Sequence, residues 1–98
     1  MKIYLDPDSL KMVLSILKKN EIHSEVYVFG SRSRGDHNEY SDLDLLLKQS
    51  NPLETRQIIK LNSDFEDSDL PIAVDFIEWS KISDDFKEKI KSELVPLF

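Results

Sequence analysis

A small α+β domain, built on a mixed sheet of three to four strands packed by helices, is the fold that this sequence predicts. Three observations carry the prediction. Segments with apolar residues at helical spacing alternate with short runs rich in β-branched and aromatic residues. Their order along the chain reads α-β-loop-β-α-β-α. Both glycines, Gly30 and Gly35, fall in the loop between the first two strand-like runs, and glycine is favoured where the backbone needs positive φ or a close approach.

The elements follow in order. Asp6-Pro7 offers an N-cap followed by proline at the first helical position, and Leu10, Val13, Leu14 and Leu17 recur at helical spacing. This predicts a helix over about residues 7–20, with Lys18 and Lys19 suited to the negative end of its dipole and Asn20 ending it. Residues 25–29, Glu-Val-Tyr-Val-Phe, read as a strand that stops at Gly30. Residues 31–40 are too polar for a core strand and suit a single helical turn before an open loop.

Asp42 to Lys48 reads as the second strand, broken by Ser50-Asn51-Pro52. Leu53, Ile58, Ile59 and Leu61 suggest a helix over about 52–62, and the acidic stretch 63–69 reads as a solvated loop. Residues 71–77, Pro-Ile-Ala-Val-Asp-Phe-Ile, form the third strand, with Asp75 as its only charge. A last helix starts near Ser83, and Phe86, Ile90 and Leu94 mark its buried stripe. Val95-Pro96-Leu97-Phe98 suits a short edge strand, where proline is tolerated. If strands two and three pair in parallel, the intervening helix is the crossover that such pairing requires.

The 98 residues suit one domain over 1–98 with a single core. No apolar run approaches a membrane span and the N-terminus lacks a signal-like apolar segment, so a cytoplasmic protein is expected. The absence of cysteine excludes disulfides, thiolate nucleophiles and zinc-thiolate sites. A net charge of -6 argues against direct nucleic-acid binding. The cluster Arg32, Arg34 and His37 against that acidic background fits a small phosphorylated ligand better than a polymer.

Side chains on a strand alternate between faces, so Asp42 and Asp44 point one way while Leu43, Leu45 and Leu47 point the other, into the core. Two such carboxylates repel each other unless a cation sits between them. Their hard oxygens suit Mg²⁺ or Mn²⁺, with Asp75 as a third ligand from the next strand. Backbone N–H groups and the Ser31 hydroxyl at the Gly30-Ser31 turn can form an anion-binding concavity, and Arg32 and Arg34 can add charge-assisted bonds to phosphate. Acids and donors lie at neighbouring strand ends if the first two strands are adjacent and antiparallel. That is a layout for handling a metal-nucleotide.

Other readings carry less weight. Alone, Asp42 and Asp44 read equally well as a solvated strand start, a reading that the Gly-Ser spacing together with Asp75 weighs against; for Asp75 a structural acid paired with a lysine or arginine stays open as the lesser alternative. His23 and His37 read as loop residues, and Tyr27, Phe29, Phe76 and Phe86 as core. Trp79 suits either core or contact surface. An EF-hand is excluded, since Leu46 and Leu47 stand where that loop needs an oxygen ligand and glycine.

Gly30-Ser31, ten intervening residues, Asp42-Leu43-Asp44 and a later-strand aspartate, Asp75, together resemble the signature of the DNA polymerase β-like nucleotidyltransferase superfamily. The likeness is closest to its minimal nucleotidyltransferases (MNT) and covers essentially the whole chain. Ser33 stands where alanine is common in that family. The resemblance implies the polymerase β-like fold and transfer of a nucleoside monophosphate, AMP from ATP, to an acceptor hydroxyl. It also implies that Asp42 and Asp44 hold two Mg²⁺ ions. Asp75 would hold the ion that activates the acceptor, and Gly30, Ser31, Arg32 and Arg34 would bind the nucleotide.

Similar proteins act as antitoxins beside a helical HEPN-type toxin, adding AMP to a tyrosine of that partner, so a hetero-oligomer is expected. With no second domain in 98 residues, the acceptor is expected from another protein. Two alternatives stay open: a non-catalytic module that neutralises its partner by contact, and transfer to a small-molecule hydroxyl.

Overall fold

A computed structural model describes residues 2–98. Helix α1 spans Pro7–Lys19. The Asp6 carboxylate accepts the Ser9 N–H at 3.0 Å, which starts the helix as the sequence suggests. Strand β1 is Val26–Phe29, followed by a single helical turn, α2, at Ser31–Arg34. Strand β2 is Leu43–Leu47, helix α3 Thr55–Glu66 and strand β3 Val74–Glu78. A 3₁₀ turn at Trp79–Lys81 leads to helix α4, Asp84–Ile90, where the Ser83 hydroxyl accepts the Phe86 N–H. A second 3₁₀ turn, Lys91–Glu93, precedes the two-residue strand β4, Val95–Pro96.

The four strands lie in the order β3-β2-β1-β4. β1 pairs antiparallel with both β2 and β4, whereas β2 and β3 run parallel. The sheet is therefore mixed, and α3 is the crossover between its parallel strands. β4 sits at the edge, where Pro96 leaves no unmatched donor in the ladder interior. None of the described helices is long and apolar enough to cross a membrane.

One face of the sheet carries the main core. Val26 and Val28 of β1 and Leu43, Leu45 and Leu47 of β2 pack with Val13 and Leu17 of α1 and Leu61 and Phe65 of α3. Leu43 and Leu45 have no exposed surface at all. Leu43, Leu45 and Leu47 thus face this core and Asp44 the opposite face, but burial does not alternate, since Leu46, on the Asp44 side, is also fully buried. On that second face Phe29 meets Phe86 of α4 edge-on, with ring centroids 6.2 Å apart. Phe29, Tyr27, Phe76 and Phe86 are all partly buried, and of these Phe76 packs against the main core.

Several boundaries differ from expectation, among them the end of the last helix, since α4 stops at Ile90 and Leu94 lies beyond it. The acidic stretch from residue 63 is not a loop at its start, because α3 continues to Glu66. Phe65 lies one helical turn beyond Leu61 on the same stripe and is buried with it, so packing overrides the local acidity. Asp64 helps hold the turn, accepting from Asn20 Nδ2 at 2.9 Å and Lys60 Nζ at 3.0 Å. The third strand starts at Val74 rather than at residue 71.

Candidate active site

The site is assembled by strand register. Asp44 lies opposite Phe29 on one side and opposite Asp75 on the other. Residues level with each other in a sheet share a face, so the end of β1, Asp44 and Asp75 form one row across three strands. Gly30 follows Phe29 directly, which brings the Gly-Ser turn beside the acids. The antiparallel pairing required for this layout is present.

Gly30 is needed there for two reasons. Its φ of 78° is strained for any side-chain-bearing residue. A Cβ at this position would also lie 2.5 Å from Asp44 Oδ2. The turn and the carboxylate are thus packed as closely as backbone allows. Gly35, with φ 89°, ends α2 in the left-handed conformation, and a Cβ there would meet the Tyr4 ring at 3.0 Å.

Asp44 is partly buried, whereas Asp42 and Asp75 are exposed. Burial, and then the negative charges of Asp75 and Asp42, push the Asp44 carboxyl above its ordinary range; Arg34 works against them and Glu93 with them. Asp75 is the only charge that the sequence places within the apolar run 71–77. It is open to solvent on an edge strand, so its position carries no burial penalty and leaves it free to meet a ligand.

The two arginines of the turn have different fates. Arg32, expected as a phosphate ligand, is only 6% exposed. Its Nη1 donates to the Tyr4 carbonyl at 2.8 Å and its Nε to the Ser41 carbonyl at 3.0 Å, while Nη2 reaches the carbonyls of Asn38 and Glu39 at 3.3 and 3.4 Å. The guanidinium is therefore engaged by backbone and ties the loop that leads into Asp42. This corrects its sequence-based assignment to the nucleotide.

Arg34, by contrast, is exposed. Its Nε bonds Asp36 at 3.1 Å, and its Nη1 bonds the two Glu93 oxygens at 3.1 and 3.3 Å. These acids hold its guanidinium firmly protonated. Glu93 also accepts the Gly30 N–H at 2.8 Å. Nothing in the sequence marks Glu93, which lies far along the chain at the end of a helix.

His37, read as an open-loop residue, is half-buried against Tyr4 at 5.3 Å between ring centroids. Its Nδ1 has no hydrogen-bond partner among the described residues. One surface cleft of about 400 Å³ is lined in part by Tyr4, Arg32 and His37, and another of similar volume in part by Phe65, Ile72 and Asp75. Neither includes Asp42 or Asp44, whereas Asp75 borders the second.

The side chains able to hold a divalent cation are Asp42, Asp44 and Asp75. Among the described residues, no three His, Cys, Asp or Glu side chains already converge on one point. The donor chemistry fits nonetheless. Mg²⁺ takes one or two carboxylates and completes its shell with water and phosphate oxygens, so a closed protein cage is not required. The mutual repulsion felt by Asp44 is the electrostatic condition that a cation relieves.

The family model for the nucleotidyltransferase domain matches residues 10–97. The chain belongs to that family. Its match runs from α1 through β4 and so includes the turn and all three aspartates. A probable protein adenylyltransferase, MntA of Haemophilus influenzae, is 38% identical over 88 residues, which cover 90% of this chain and 77% of that protein.

Among solved structures, a toxin-antitoxin crystal structure with AMP-PNP superposes with a TM-score of 0.71 at 21% identity, over 91% of this chain and 72% of that one. A complex of tri-AMPylated Shewanella oneidensis HEPN toxin with MNT antitoxin gives 0.66 at 19% identity, over 92% and 69%. At these identities the superpositions establish the shared α+β fold. Sequence identity to the adenylyltransferase carries the enzyme class.

Proposed function

We propose that this nucleotidyltransferase moves AMP from ATP to a tyrosine hydroxyl of a HEPN-type partner protein, and that it acts in this way as an antitoxin within a hetero-oligomer. The observation that carries the reading is the row Phe29-Asp44-Asp75, which sets the Gly30-Ser31 turn beside two acids, with Asp42 close enough for its charge to act on Asp44. The likeness to MntA supports protein as the acceptor. An acceptor on a second protein can approach the exposed Asp42 and Asp75.

In the proposed reaction the tyrosine oxygen attacks the α-phosphorus of ATP. The new P–O bond forms as the bond from the α-phosphorus to the bridging oxygen breaks, and pyrophosphate leaves. Arg34 and the Ser31 hydroxyl hold the terminal phosphates and spread the charge that develops on the leaving group. Asp75, exposed and level with Asp44, receives the hydroxyl proton. Asp42, Asp44 and Asp75 would hold the Mg²⁺ ions, which supply Lewis-acid neutralisation of phosphate charge and a lowered acceptor pKa. Arg32 acts one step back, fixing the loop that presents Asp42.

The test is incubation of α-labelled ATP and Mg²⁺ with the chain and its co-expressed partner. Label on a partner tyrosine with wild type, lost in Asp44→Ala, is the expected result. If both forms leave the partner unlabelled yet still suppress it, neutralisation is by contact and the enzymatic reading is wrong.

A further inference from the structure

The C-terminal segment enters the site through Glu93. β4 pairs with β1 so that Val95 faces Val28 and Pro96 faces Tyr27. Continued by two residues, this antiparallel register sets Glu93 opposite Gly30. At Glu93 the backbone has already turned into the 3₁₀ segment Lys91–Glu93. The side chain replaces it, accepting the Gly30 N–H at 2.8 Å. The same oxygen takes Arg34 Nη1 at 3.1 Å. The Glu93 side chain is only 17% exposed, against 47% for that of Arg34.

Arginine has five N–H donors in a rigid fork. With Nε on Asp36 and Nη1 on Glu93, both N–H groups of Nη2 remain to meet an anion. An exposed arginine free to rotate would pay ordering entropy when it grips phosphate. Held from two sides, it is already oriented. We infer that Glu93 is a positioning residue for the nucleotide: it fastens the Gly30 turn and the Arg34 guanidinium into one phosphate-holding unit, coupling the C-terminal edge of the sheet to triphosphate affinity. This rests on the reading of Gly30, Ser31 and Arg34 as the phosphate holder, and goes beyond it by assigning a role to a residue from the opposite end of the chain.

A carboxylate so near a phosphate site has an opposite possible consequence. If Glu93 were a competitor for that seat, its removal would tighten nucleotide binding. The sign of the effect separates the two.

The experiment measures the dissociation constant of ATP with Mg²⁺ for wild type, Glu93→Gln, Arg34→Ala and the double variant, with thermal melting to confirm folding. Glu93→Gln keeps an oxygen for Gly30 but loses the charge on Arg34. The expected result is three- to tenfold weaker ATP binding in Glu93→Gln, about the range of one charge-assisted contact, with no further loss when it is added to Arg34→Ala. Unchanged or tighter binding in Glu93→Gln, or independent multiplicative losses in the double variant, overturns the inference. So does a wild type that binds no ATP. Binding without transfer to a partner sinks the proposed reaction alone and leaves the role of Glu93 to be decided by these affinities.

Discussion

The two faces of β2 illustrate different uses of one strand. On one face Leu43, Leu45 and Leu47 close the core against α1 and α3. On the other, Asp44 lies level with Phe29 and Asp75, and the charges of Asp75 and Asp42 act on it. The closed face supplies burial free energy. On the other face the Asp44 carboxylate is destabilising when ionised, because it is partly buried and feels the negative charges of Asp75 and Asp42. Strand period puts Leu43, Leu45 and Leu47 on one face and Asp44 with the buried Leu46 on the other, so the face that carries the chemistry also carries core.

The contrast breaks most visibly at its centre. Asp44→Ala should lower AMP transfer at least about a hundredfold, because preorganised charge at the reacting phosphate dominates such catalysis. Its melting temperature should stay at or above that of wild type. The neighbouring Leu45→Ala should do the reverse. Loss of a fully buried leucine costs about 2–5 kcal/mol, read as a lower denaturant midpoint with residual folded protein still active per molecule.

A second pair sharpens the comparison within the turn. Arg32→Ala should destabilise the chain by about 3 kcal/mol, since buried carbonyls lose a charged donor. Arg34→Ala should leave stability within about 0.5 kcal/mol, as exposed ion pairs contribute little, and weaken ATP binding instead. Chemical denaturation and ATP titration on both variants check the distinction. Equal destabilisation by the two substitutions would remove it.

Much of this was legible in the sequence. Asp6-Pro7 and Ser83 specify helix starts through local hydrogen bonds, and those caps are where the sequence puts them. The Asp42-Leu43-Asp44 alternation and the Gly30-Ser31 turn are likewise local features, and both faces of β2 follow from period two. What could not be read depends on long-range partners. Nothing near Arg32 says that the Tyr4 carbonyl, 28 positions earlier, will take its guanidinium. Nothing near Glu93 says that it will lie opposite Gly30. Asp64 read as loop acid until the end of α1 came to meet it through Asn20. Asp75 was placed on the correct strand, but its exposure depends on β3 being the sheet edge, which is a property of topology and not of its neighbours in the chain.

The smallest expected effect tests the account most directly: thermal melting of wild type and Asp44→Asn across pH in the absence of divalent cations. The folded chain holds the Asp44 proton more tightly than the unfolded chain does, so ionised Asp44 destabilises the fold above its raised pKa. That penalty fades as pH falls through the raised value toward the ordinary carboxylate range. Near neutral pH the asparagine variant should therefore melt a few degrees higher, at about 4–8 °C per kcal/mol for a domain of this size. The gap should close in acid, and Mg²⁺ should narrow it at neutral pH by raising the wild type alone. A variant that melts lower than wild type at neutral pH, or a gap that ignores both pH and Mg²⁺, would contradict the claim that the Asp44 face of β2 gives up stability to hold a cation and a nucleotide.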